Sequence, residues 1–495
     1  MRDKISMNAN PIVKHLKKHN SEFSKQDLIK FCEDKSVEMV KFLFVGGDGK
    51  LKSLNFMITS RWHLDEILSY GERVDGSCLF SFIEAQSSDL YVIPRYSTAF
   101  VDPFSEIKTM ALLCNYYTKD GKPLESAPEY IVTKASNAFK QITGMDCEML
   151  GELEYYVKGF VEENFAVENN NYQESTPFTK YEDFRLECMR LIAQTGGLIK
   201  YGHTENGAFE YNGHYYEQNE IEFMPASLLE AADQIVIAKW VIRNLAFQYG
   251  LEVSFAPKVA PNKPESRLHI HIRLMKNGKN QMLRAGKLSS IAKTAIAGMM
   301  ECAGALTAFG NPNPLSYVKR SAGVNICWGE RNRSALLRVP LGWSNKEDMA
   351  ATVNNSDRQS RYDATHKQTI EFRSPNGSSN IHFLAASMAI ACRHGFEMQN
   401  ALENANKTFI DVDISKAGAR NKIKELKQLP ISCWESAEVM DKQRHIFENY
   451  GVFSPGMLDG IIKDLKQHDD KTLNERIEED PELLDIVLER FFHCG

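Results

Sequence analysis

The chain has 495 residues, of which 43% are hydrophobic and 25% are charged, as is ordinary for a globular protein. Fifty-nine Lys and Arg against 65 Asp and Glu leave a formal net charge of −6, which argues against partners such as nucleic acid or anionic lipid. No apolar run approaches the roughly 18–20 residues of a membrane helix, and the start, MRDKISMNAN, lacks the apolar centre of a signal peptide. Ten cysteines form no CxxC pair, so reduced thiols in a cytoplasmic protein are the simplest interpretation.

The first part of the chain predicts a small β-rich domain over residues 31–115. A polar lead-in over 1–30 precedes it. Its elements are, in chain order, a strand over Val37–Val45, a turn over Gly46–Gly49, a strand over Leu51–Ile58 and a β-rich stretch over Leu79–Phe100. The turn contains the string GGDGK. It is not a phosphate-binding loop, because Phe44 and Leu51 stand where that motif requires Gly and Ser or Thr.

A linker over Lys119–Tyr130 leads to a second, larger domain, predicted over 120–495. The pattern in this domain is one of long helices between strands that carry polar residues, which predicts an α+β protein. The predicted helices lie at Leu228–Tyr249, with a capping box of Ser227 and Glu230, at Ser290–Phe309 and at His382–Met398. A charged helical stretch follows from Lys422 and ends in the apolar segment Leu483–Phe492, for which we predict docking on a partner subunit.

Four strand-like segments carry ionisable side chains two residues apart, so that each pair points to one face. The pairs are Glu152 with Glu154, Glu220 with Glu222, His269 with His271, and Glu371 with Arg373. Any one pair alone is more often a solvated strand face, and a lone HxH more often reflects packing than a metal site. Together they offer several carboxylates and imidazoles, the ligands that Mg²⁺ or Mn²⁺ accept. If the strands share one curved sheet, these side chains converge in a cavity.

The segment RNRSALLRVP adds three arginines, Arg331, Arg333 and Arg338. Carboxylates packed together without cations would repel one another, and two divalent ions would relieve that repulsion. Arginines at the rim suit an anionic substrate or a transferring phosphoryl group. The residues therefore suggest metal-dependent phosphoryl chemistry on a carboxylate.

The order of motifs along the chain resembles that of the glutamine synthetase family, of the bacterial ring-forming type. The matching pieces span about residues 35–400 and include VDGSCLF at 74–80, GELEYYV at 151–157, QNEIEF at 218–223, LHIH at 268–271, NPNPLSY at 311–317, RNRSALLRVP at 331–340 and EFRSPNGSSN at 371–380. The resemblance implies a β-grasp-like N-terminal domain and a catalytic domain whose curved antiparallel sheet forms a funnel flanked by helices. It also implies two divalent metals per site, with ATP as co-substrate.

Site residues follow from the resemblance position by position. Ligands of one metal are expected at Glu154, Glu205 and Glu220, with Glu210 as a fallback for Glu205, and ligands of the second at Glu152, His269 and Glu371. Binding of ATP is expected at His271, Arg333 and Arg338, binding of the substrate carboxylate at Arg320 and Arg373, and a catalytic role at Asp75 and Arg333. Asp75 matches the residue that binds ammonium in a neighbouring subunit's site, so the resemblance implies a homo-oligomer of stacked rings, a dodecamer.

The implied reaction is the ATP-dependent activation of the glutamate γ-carboxylate as an acyl phosphate, which ammonia then attacks. Three departures keep alternatives open. First, Pro264-Glu265-Ser266-Arg267 stands where the family has a glycine-rich substrate loop. Second, the flap after Tyr317 lacks the family's glutamate and has Lys319 at its base. Third, Arg273 replaces a small residue of the family. The alternatives are a γ-glutamyl ligase for a larger amine, a ligase for an altered acid, and a non-catalytic homologue. In the first, Glu265 would bind the cationic end of the amine, unless Glu265 is a solvated charge in the loop.

Overall fold

The computed structural model describes residues 3–83, 88–162, 165–319, 324–342, 349–354, 364–413 and 424–495. Strands within these ranges are β1 (Met39–Val45), β2 (Leu51–Met57), β3 (Glu72–Asp75), β4 (Asp89–Pro94), β5 (Phe100–Val101), β6 (Thr109–Thr118), β7 (Asp146–Phe160), β8 (Ile199–Tyr211), β9 (His214–Phe223), β10 (Ala226–Ser227), β11 (Glu252–Ser254), β12 (Leu268–Lys276), β13 (Lys279–Asn280), β14 (Leu283–Arg284), β15 (Lys287–Leu288), β16 (Trp328–Glu330), β17 (Leu337–Val339) and β18 (Ile370–Phe372).

The α-helices precede the first strand, lie between later strands and follow the last one. They are α1 (Asp3–Ser6), α2 (Pro11–Leu16), α3 (Lys25–Lys35), α4 (Arg61–Tyr70), α5 (Pro128–Thr143), α6 (Glu182–Gln194), α7 (Leu228–Gln248), α8 (Ser290–Gly310), α9 (Met349–Val353), α10 (Ile381–Glu397), α11 (Ala401–Thr408), α12 (Cys433–Glu448), α13 (Pro455–Lys466), α14 (Leu473–Glu479) and α15 (Glu482–Phe491). None of those in the described ranges is long and apolar enough to cross a bilayer.

The N-terminal domain is a mixed sheet in the order β2-β1-β6-β4-β3, with β5 paired to β6. Strand β1 runs parallel to β6 and antiparallel to β2, and Gly49 takes the positive φ of 75° that the β1–β2 turn needs. Phe42 and Phe44 alternate into the core of this domain, where Tyr116 covers Phe44. The sequence prediction of these two strands is confirmed.

Helices α4 and α5 are among those that the sequence did not predict. Helix α4 follows the N-cap Ser60, whose hydroxyl accepts a hydrogen bond from the His63 amide. Helix α5 begins at Pro128, so the last three residues of the predicted linker are helical. Proline is well placed at the first position of a helix, because the N–H that it lacks would have no partner there.

The larger domain contains a sheet of ten strands, with the order β16-β17-β18-β12-β7-β9-β8 along its main path. Helices α7, α8 and α10 share one continuous apolar core with this sheet. Helices α8 and α10 approach closely through two glycines, since a Cβ atom on Gly298 would lie 2.1 Å from the Ala391 carbonyl oxygen and one on Gly395 would lie 2.0 Å from that of Thr294. The predicted α+β architecture, a β-grasp domain followed by a catalytic-type domain with a curved sheet, is confirmed.

The apolar C-terminal segment folds back on its own chain. Leu484, Val487 and Leu488 of α15 are buried against Leu315 and Val318. Docking of this segment on a partner stays a prediction, but Leu484, Val487 and Leu488 cannot supply that contact, because the protomer already covers them. The sequence showed an amphipathic helix but could not show which surface lay opposite to it.

Candidate active site

The ionisable pairs predicted from the sequence lie on one face of the larger sheet. In the strand register, Glu152 is opposite both Glu222 and His269, and Glu154 is opposite Glu220. Glu371 is opposite His271 on the next strand. Because side chains on one strand alternate between faces, residues at these spacings point the same way. The sheet thus gathers carboxylates and imidazoles from four strands.

One part of the cluster, here called the histidine side, consists of Glu152, His269, His271 and Glu371. The Nδ1 atom of His269 lies 2.7 Å from one oxygen of Glu152, and Nε2 of His271 lies 2.9 Å from the other. The same His269 atom lies 3.7 Å from Oε1 of Glu371. Thr369 fixes His271 from behind, with its hydroxyl 2.8 Å from Nδ1. Each carboxylate on this side therefore faces at least one nitrogen donor.

Two arginines reinforce the histidine side. Arg338 donates from Nη1 to Oε2 of the fully buried Glu371 at 3.0 Å, and Arg373 donates to its other oxygen. Although burial acts in the opposite direction, His271, His269 and Arg373 hold the pKa of Glu371 below its usual value. His271 and His269 likewise hold the pKa of Glu152 well below the ordinary range, against the effect of burial. Both carboxylates are therefore ionised, with balancing charge from Arg338 and Arg373 beside Glu371 and from His271 beside Glu152, which raises the pKa of that imidazole against the effect of burial.

The other part, here called the carboxylate side, consists of Glu154, Glu205 and Glu220. Burial, together with the charges of Glu220 and Glu205, raises the pKa of Glu154 well above its usual value. Burial raises the pKa of Glu220 to about 7, even though Nε2 of His203 lies 3.3 Å from it. The pKa of Glu205 is also raised, mainly by burial. If all three were ionised they would repel one another, and the only cation-forming side chain that the structure shows within 4 Å of Glu205 and Glu220 in the described ranges is His203.

The donor set fits divalent cations. Ligand atoms lie within 4.8 Å of one another in four groups, namely Glu152–His269–Glu371, Glu152–Glu222–His271, Glu154–Glu220–His269 and His203–Glu205–Glu220. Nε2 of His269 and Oε2 of Glu222 are buried and have no hydrogen-bond partner among the described residues. Burial lowers the pKa of His269, which keeps its imidazole neutral and able to coordinate. Carboxylates with neutral imidazoles form a ligand set for Mg²⁺ or Mn²⁺.

The structure adds Lys200 and His203 to the predicted set, and a possible ligand role for Glu222. Glu222 is buried, shares a potential cation site with Glu152 and His271, and binds Nζ of Lys200 at 2.6 Å. Its alternation with Glu220 placed it among the converging pairs, but the resemblance assigned it to neither metal. His203 precedes Glu205 by two residues on β8, so the same alternation could have found it.

Three predicted site residues lie apart from the cluster or outside the described ranges. Arg333 is exposed, its charge partly offsets the rise in the pKa of Glu205, and it lines a cavity with Arg331, Asp411 and Asp413. Asp75 is exposed on the N-terminal domain, where Ser77 donates to it from its hydroxyl at 2.7 Å and from its amide at 2.9 Å. Arg320 lies outside the described residues. The fallback Glu210 is exposed and belongs to none of the four groups.

The loop that replaces the glycine-rich segment is held by charges within the chain. Lys258 binds one oxygen of Glu265 at 2.6 Å, and Arg267 binds the other at 3.1 Å. The amide of Arg267 also donates to Glu154 at 2.9 Å. The expectation that Glu265 is solvated loop charge is therefore wrong, whereas its binding of an amine stays a prediction that would require sharing a carboxylate already paired with Lys258 and Arg267. The partner Lys258 is seven residues away, and only the fold brings it close.

The other departures have local explanations. The guanidinium of Arg273 lies 2.6 Å from Glu148 and donates to the His366 carbonyl at 2.9 Å, so its charge is balanced at the edge of the sheet. Lys319, at the start of the shortened flap, takes a positive φ of 43°, and its amide donates to the Asn474 side chain. The chain leaves the described ranges at the next residue.

Comparisons with known proteins agree with this architecture. Residues 36–119 match the family "Glutamine synthetase, beta-Grasp domain", and residues 125–481 match "Glutamine synthetase, catalytic domain". The chain is 26% identical over 473 residues to the glutamine synthetase of Frankia alni, covering 88% of this chain and 93% of that one. It is 28% identical over 371 residues to that of Pyrococcus horikoshii, covering 74% and 76% of the two chains.

Solved structures show the same fold. A GmaS/ADP complex superposes with a TM-score of 0.72 at 17% identity, covering 89% of this chain and 95% of that one. The Plasmodium falciparum glutamine synthetase superposes with a TM-score of 0.71 at 18% identity, covering 90% and 96%. From its two domain matches and its full-length relatives, the chain belongs to the glutamine synthetase family.

Proposed function

We propose that this protein is an ATP-dependent ligase that activates the γ-carboxylate of glutamate as an acyl phosphate and couples it to ammonia. Family membership supports an ATP-dependent ligase of the glutamine synthetase type. The observation that carries the proposal is the two-sided cluster, in which Glu154, Glu205 and Glu220 repel one another while Glu152 and Glu371 are balanced. Buried carboxylates in this state are costly unless a cation joins them.

In this proposal Glu154, Glu205 and Glu220 hold one divalent cation, and Glu152, His269 and Glu371 hold the second. The cations supply charge that offsets the negative charge developing on the phosphoryl oxygens. Glu222 and His203 complete the site, as neighbours of Glu152 and Glu220 respectively. Mg²⁺ and Mn²⁺ are both suited to this ligand set.

Cationic side chains around the cluster would bind the anionic substrates. Arg338 has a buried Nε atom that lacks a hydrogen-bond partner among the described residues, so it retains a donor for a phosphate oxygen. We assign Arg338, Arg333 and His271 to ATP, and Arg373, with Arg320, to the carboxylate of the acid substrate. Since Arg338 and Arg373 both bind Glu371 here, each would share its donors between Glu371 and a substrate.

The ammonium site would include Asp75. Hydrogen bonds from Ser77 and neighbouring groups lower the pKa of Asp75 to about 2, so its exposed carboxylate is anionic at neutral pH. An anion binds ammonium and favours its delivery to an acyl phosphate. Asp75 lies on the N-terminal domain, and no contact joins it to the cluster within the described ranges. The proposed site is therefore completed by a neighbouring subunit, in a ring-forming homo-oligomer of stacked rings.

A ligase for a larger amine is the second candidate. The sequence between Tyr317 and Gly329 contains no glutamate, so the flap residue that accepts a proton from ammonium in the family has no counterpart there. A shorter flap also leaves room for an organic amine. A non-catalytic homologue is disfavoured, because a chain without metal chemistry would retain the repulsion of the carboxylate side for no benefit.

The test is phosphate release with ATP, Mg²⁺ and glutamate, combined with mass spectrometry of the amide product, for ammonium and a series of alkylamines. Turnover that is highest with ammonium supports glutamine synthesis, and turnover that is higher with an alkylamine supports the second candidate. Glu220→Gln serves as the inactive control, because it removes one proposed metal ligand. Absence of any ATP-dependent amide with every nucleophile, in Mg²⁺ and in Mn²⁺, would contradict both.

A further inference from the structure

Three cationic side chains converge where the two domains meet the end of the described chain. Lys50 belongs to the β1–β2 turn, and Lys239 and Arg243 belong to α7. Lys50 donates to the His493 carbonyl at 3.2 Å, and Arg243 donates to the Cys494 carbonyl at 3.0 Å. A Cβ atom on Gly495 would lie 3.1 Å from Nζ of Lys239. The three cations thus lie around residues 493–495.

Lys239 is the most unusual member of this group. It is 2% exposed, and its Nζ atom has no hydrogen-bond partner among the described residues. It precedes Arg243 by four residues, so the two side chains share one helix face. The Phe255 ring lies under both, with its centroid 5.6 Å from Nζ of Lys239 and 4.9 Å from the Arg243 guanidinium. A ring face offsets only part of a buried positive charge.

No carboxylate of the described residues forms an ion pair with Lys50, Lys239 or Arg243. Two acidic groups act on the pKa of Lys239: Asp48, which binds Lys52 at 2.6 Å, and the Cys494 thiol, whose pKa burial raises to about 11, so that it carries no charge at neutral pH. Burial and the charges of Arg243 and Lys50 lower the pKa of Lys239 to about 7, which is the state expected when the balancing anion is missing. An uncompensated positive cluster at a domain junction calls for a negative partner.

We propose that Lys50, Lys239 and Arg243 form a binding site for an oxyanion, a carboxylate or phosphate group, at the junction of the two domains. The guanidinium supplies paired N–H donors and the two ammonium groups supply point charges, the combination that binds carboxylate and phosphate oxygens. The site is separate from the metal cluster, and it needs no ligase activity. Its oxyanion comes either from solution or from a carboxyl group at the end of the peptide near Gly495.

Occupancy of this site would join three parts of the molecule. The turn that carries Lys50 also contacts α10, since the Asn380 side chain donates to the Gly47 carbonyl at 3.3 Å. The Gly377 carbonyl oxygen lies 2.6 Å from the Cβ position of Gly495, in the loop that leads from β18 to α10. A bound oxyanion therefore stabilises the docking of the N-terminal domain on this loop.

The experiment measures the thermal unfolding midpoint against inorganic phosphate at constant ionic strength, without divalent metal. The proteins compared are the unmodified chain, Lys239→Met, and Lys407→Met as a control that removes a lysine from an exposed helix face. We expect phosphate to raise the midpoint by about 2–4 °C more in the unmodified chain and in Lys407→Met than in Lys239→Met. Arg243→Gln, which alters a partly exposed side chain, replaces Lys239→Met if that variant does not fold.

A second arm identifies the source of the oxyanion. Each protein is prepared with Gly495 as its last residue and with Ala-Ser added after Gly495. If phosphate raises the midpoint in both forms, and this rise depends on Lys239, the site binds a free anion. If phosphate raises the midpoint only in the extended form, and if that form also has a lower midpoint without phosphate, the peptide carboxylate occupies the site in the other form. Absence of a Lys239-dependent rise in both forms would overturn the proposal.

Discussion

The two sides of the cluster solve the same problem, buried negative charge, in different ways. On the histidine side, two imidazoles and two guanidinium groups contact Glu152 and Glu371, and the pKa values of both carboxyls fall. On the carboxylate side, Glu154 and Glu220 face each other across two strands, and their pKa values rise. The sheet thus holds balanced and unbalanced acids a few ångströms apart.

The difference indicates where a cation contributes most. A divalent ion on the carboxylate side replaces repulsion by attraction, whereas one on the histidine side competes with protein cations already present. We therefore expect tighter metal binding by Glu154, Glu205 and Glu220 than by Glu152, His269 and Glu371. The arginines of the histidine side can then turn part of their donor capacity to substrate anions. The following predictions test this asymmetry.

Activity should show the largest effect. Glu220→Gln removes one of the charges that hold the metal of the carboxylate side, so we expect kcat to fall by about 10²–10³-fold, as when a charge-stabilising group is lost. Glu210→Gln, on the same hairpin but exposed and outside every ligand group, should stay within about twofold. The measurement is ATP-dependent phosphate release at saturating Mg²⁺. Equal activity of the two variants would remove the carboxylate side from the proposed mechanism.

In the metal-free protein, substitutions on the two sides of the cluster should change the free energy of unfolding in different directions. Glu371→Gln leaves Arg338 and Arg373 without their shared buried carboxylate, and we expect it to lower the free energy of unfolding by about 3 kcal/mol. Glu154→Gln relieves repulsion and keeps an oxygen for Gln218 and the Arg267 amide, so stability should be unchanged or higher. Urea unfolding with a chelator present measures both. Equal destabilisation by the two substitutions would refute the asymmetry.

The pH dependence of metal stabilisation follows from the raised pKa of Glu220, about 7 against a usual 4.5. A carboxyl whose pKa is raised by folding stabilises the metal-free protein below its unfolded pKa, and that contribution is lost as the pH rises through about 7. Mg²⁺ relieves the repulsion that then appears, so its effect should grow with pH. We expect Mg²⁺ to raise the unfolding midpoint by about 2–4 °C more at pH 8 than at pH 6.

A matched double variant, Glu154→Gln with Glu220→Gln, provides the control for this pH series. It lacks the two carboxyls whose protonation Mg²⁺ displaces, so its Mg²⁺-induced shift should be nearly the same at both pH values. If the unmodified protein also shows no difference between pH 6 and pH 8, the carboxylate side does not carry the repulsion described above.

The period-two spacing of charged residues predicted which side chains share a face, because alternation is a local property of strands. Spacing and the family resemblance together named Glu152, Glu154, Glu220 and Glu371, and the structure brings them together. Neither could show that Glu154 and Glu371 would have opposite charge environments. That difference depends on which residues lie on neighbouring strands, and the register of β7, β9, β12 and β18 is a property of the whole sheet.

Three contacts escaped the sequence for the same reason. Glu265 pairs with Lys258, which the fold brings to it. Leu484, Val487 and Leu488 of the C-terminal segment pack against Leu315 and Val318 of the same chain. The role of Glu222 depends on Lys200 and His271, which approach it from other strands. Each is a contact between different elements of the fold, which the alternation within one strand or helix does not encode.

The smallest effect is expected at Lys200, the one protein cation bound to Glu222 in the described ranges. Nζ of Lys200 lies 2.6 Å from Glu222, whose side chain is 2% exposed, while Lys200 itself is 42% exposed. Lys200→Met therefore removes a neutralising charge from the edge of the cluster without opening a large cavity. The site becomes more negative, so we expect Mn²⁺ to bind about 3- to 10-fold more tightly, while the metal-free protein loses about 1 kcal/mol of stability because Glu222 remains buried without its ion-pair partner.

Lys158→Met is the matched control for Lys200→Met. Its ammonium binds Glu252 at 2.8 Å on the same sheet, but that carboxylate is 46% exposed and belongs to none of the ligand groups. Titration calorimetry should give the same Mn²⁺ dissociation constant for Lys158→Met and the unmodified chain. Weaker binding by Lys200→Met would show that Lys200 supports the metal site by holding Glu222 in position, since loss of orientation would then outweigh the gain in negative charge. In that case the protein's own cations organise both sides of the cluster, and the contrast between the sides lies in Glu154, Glu205 and Glu220 alone.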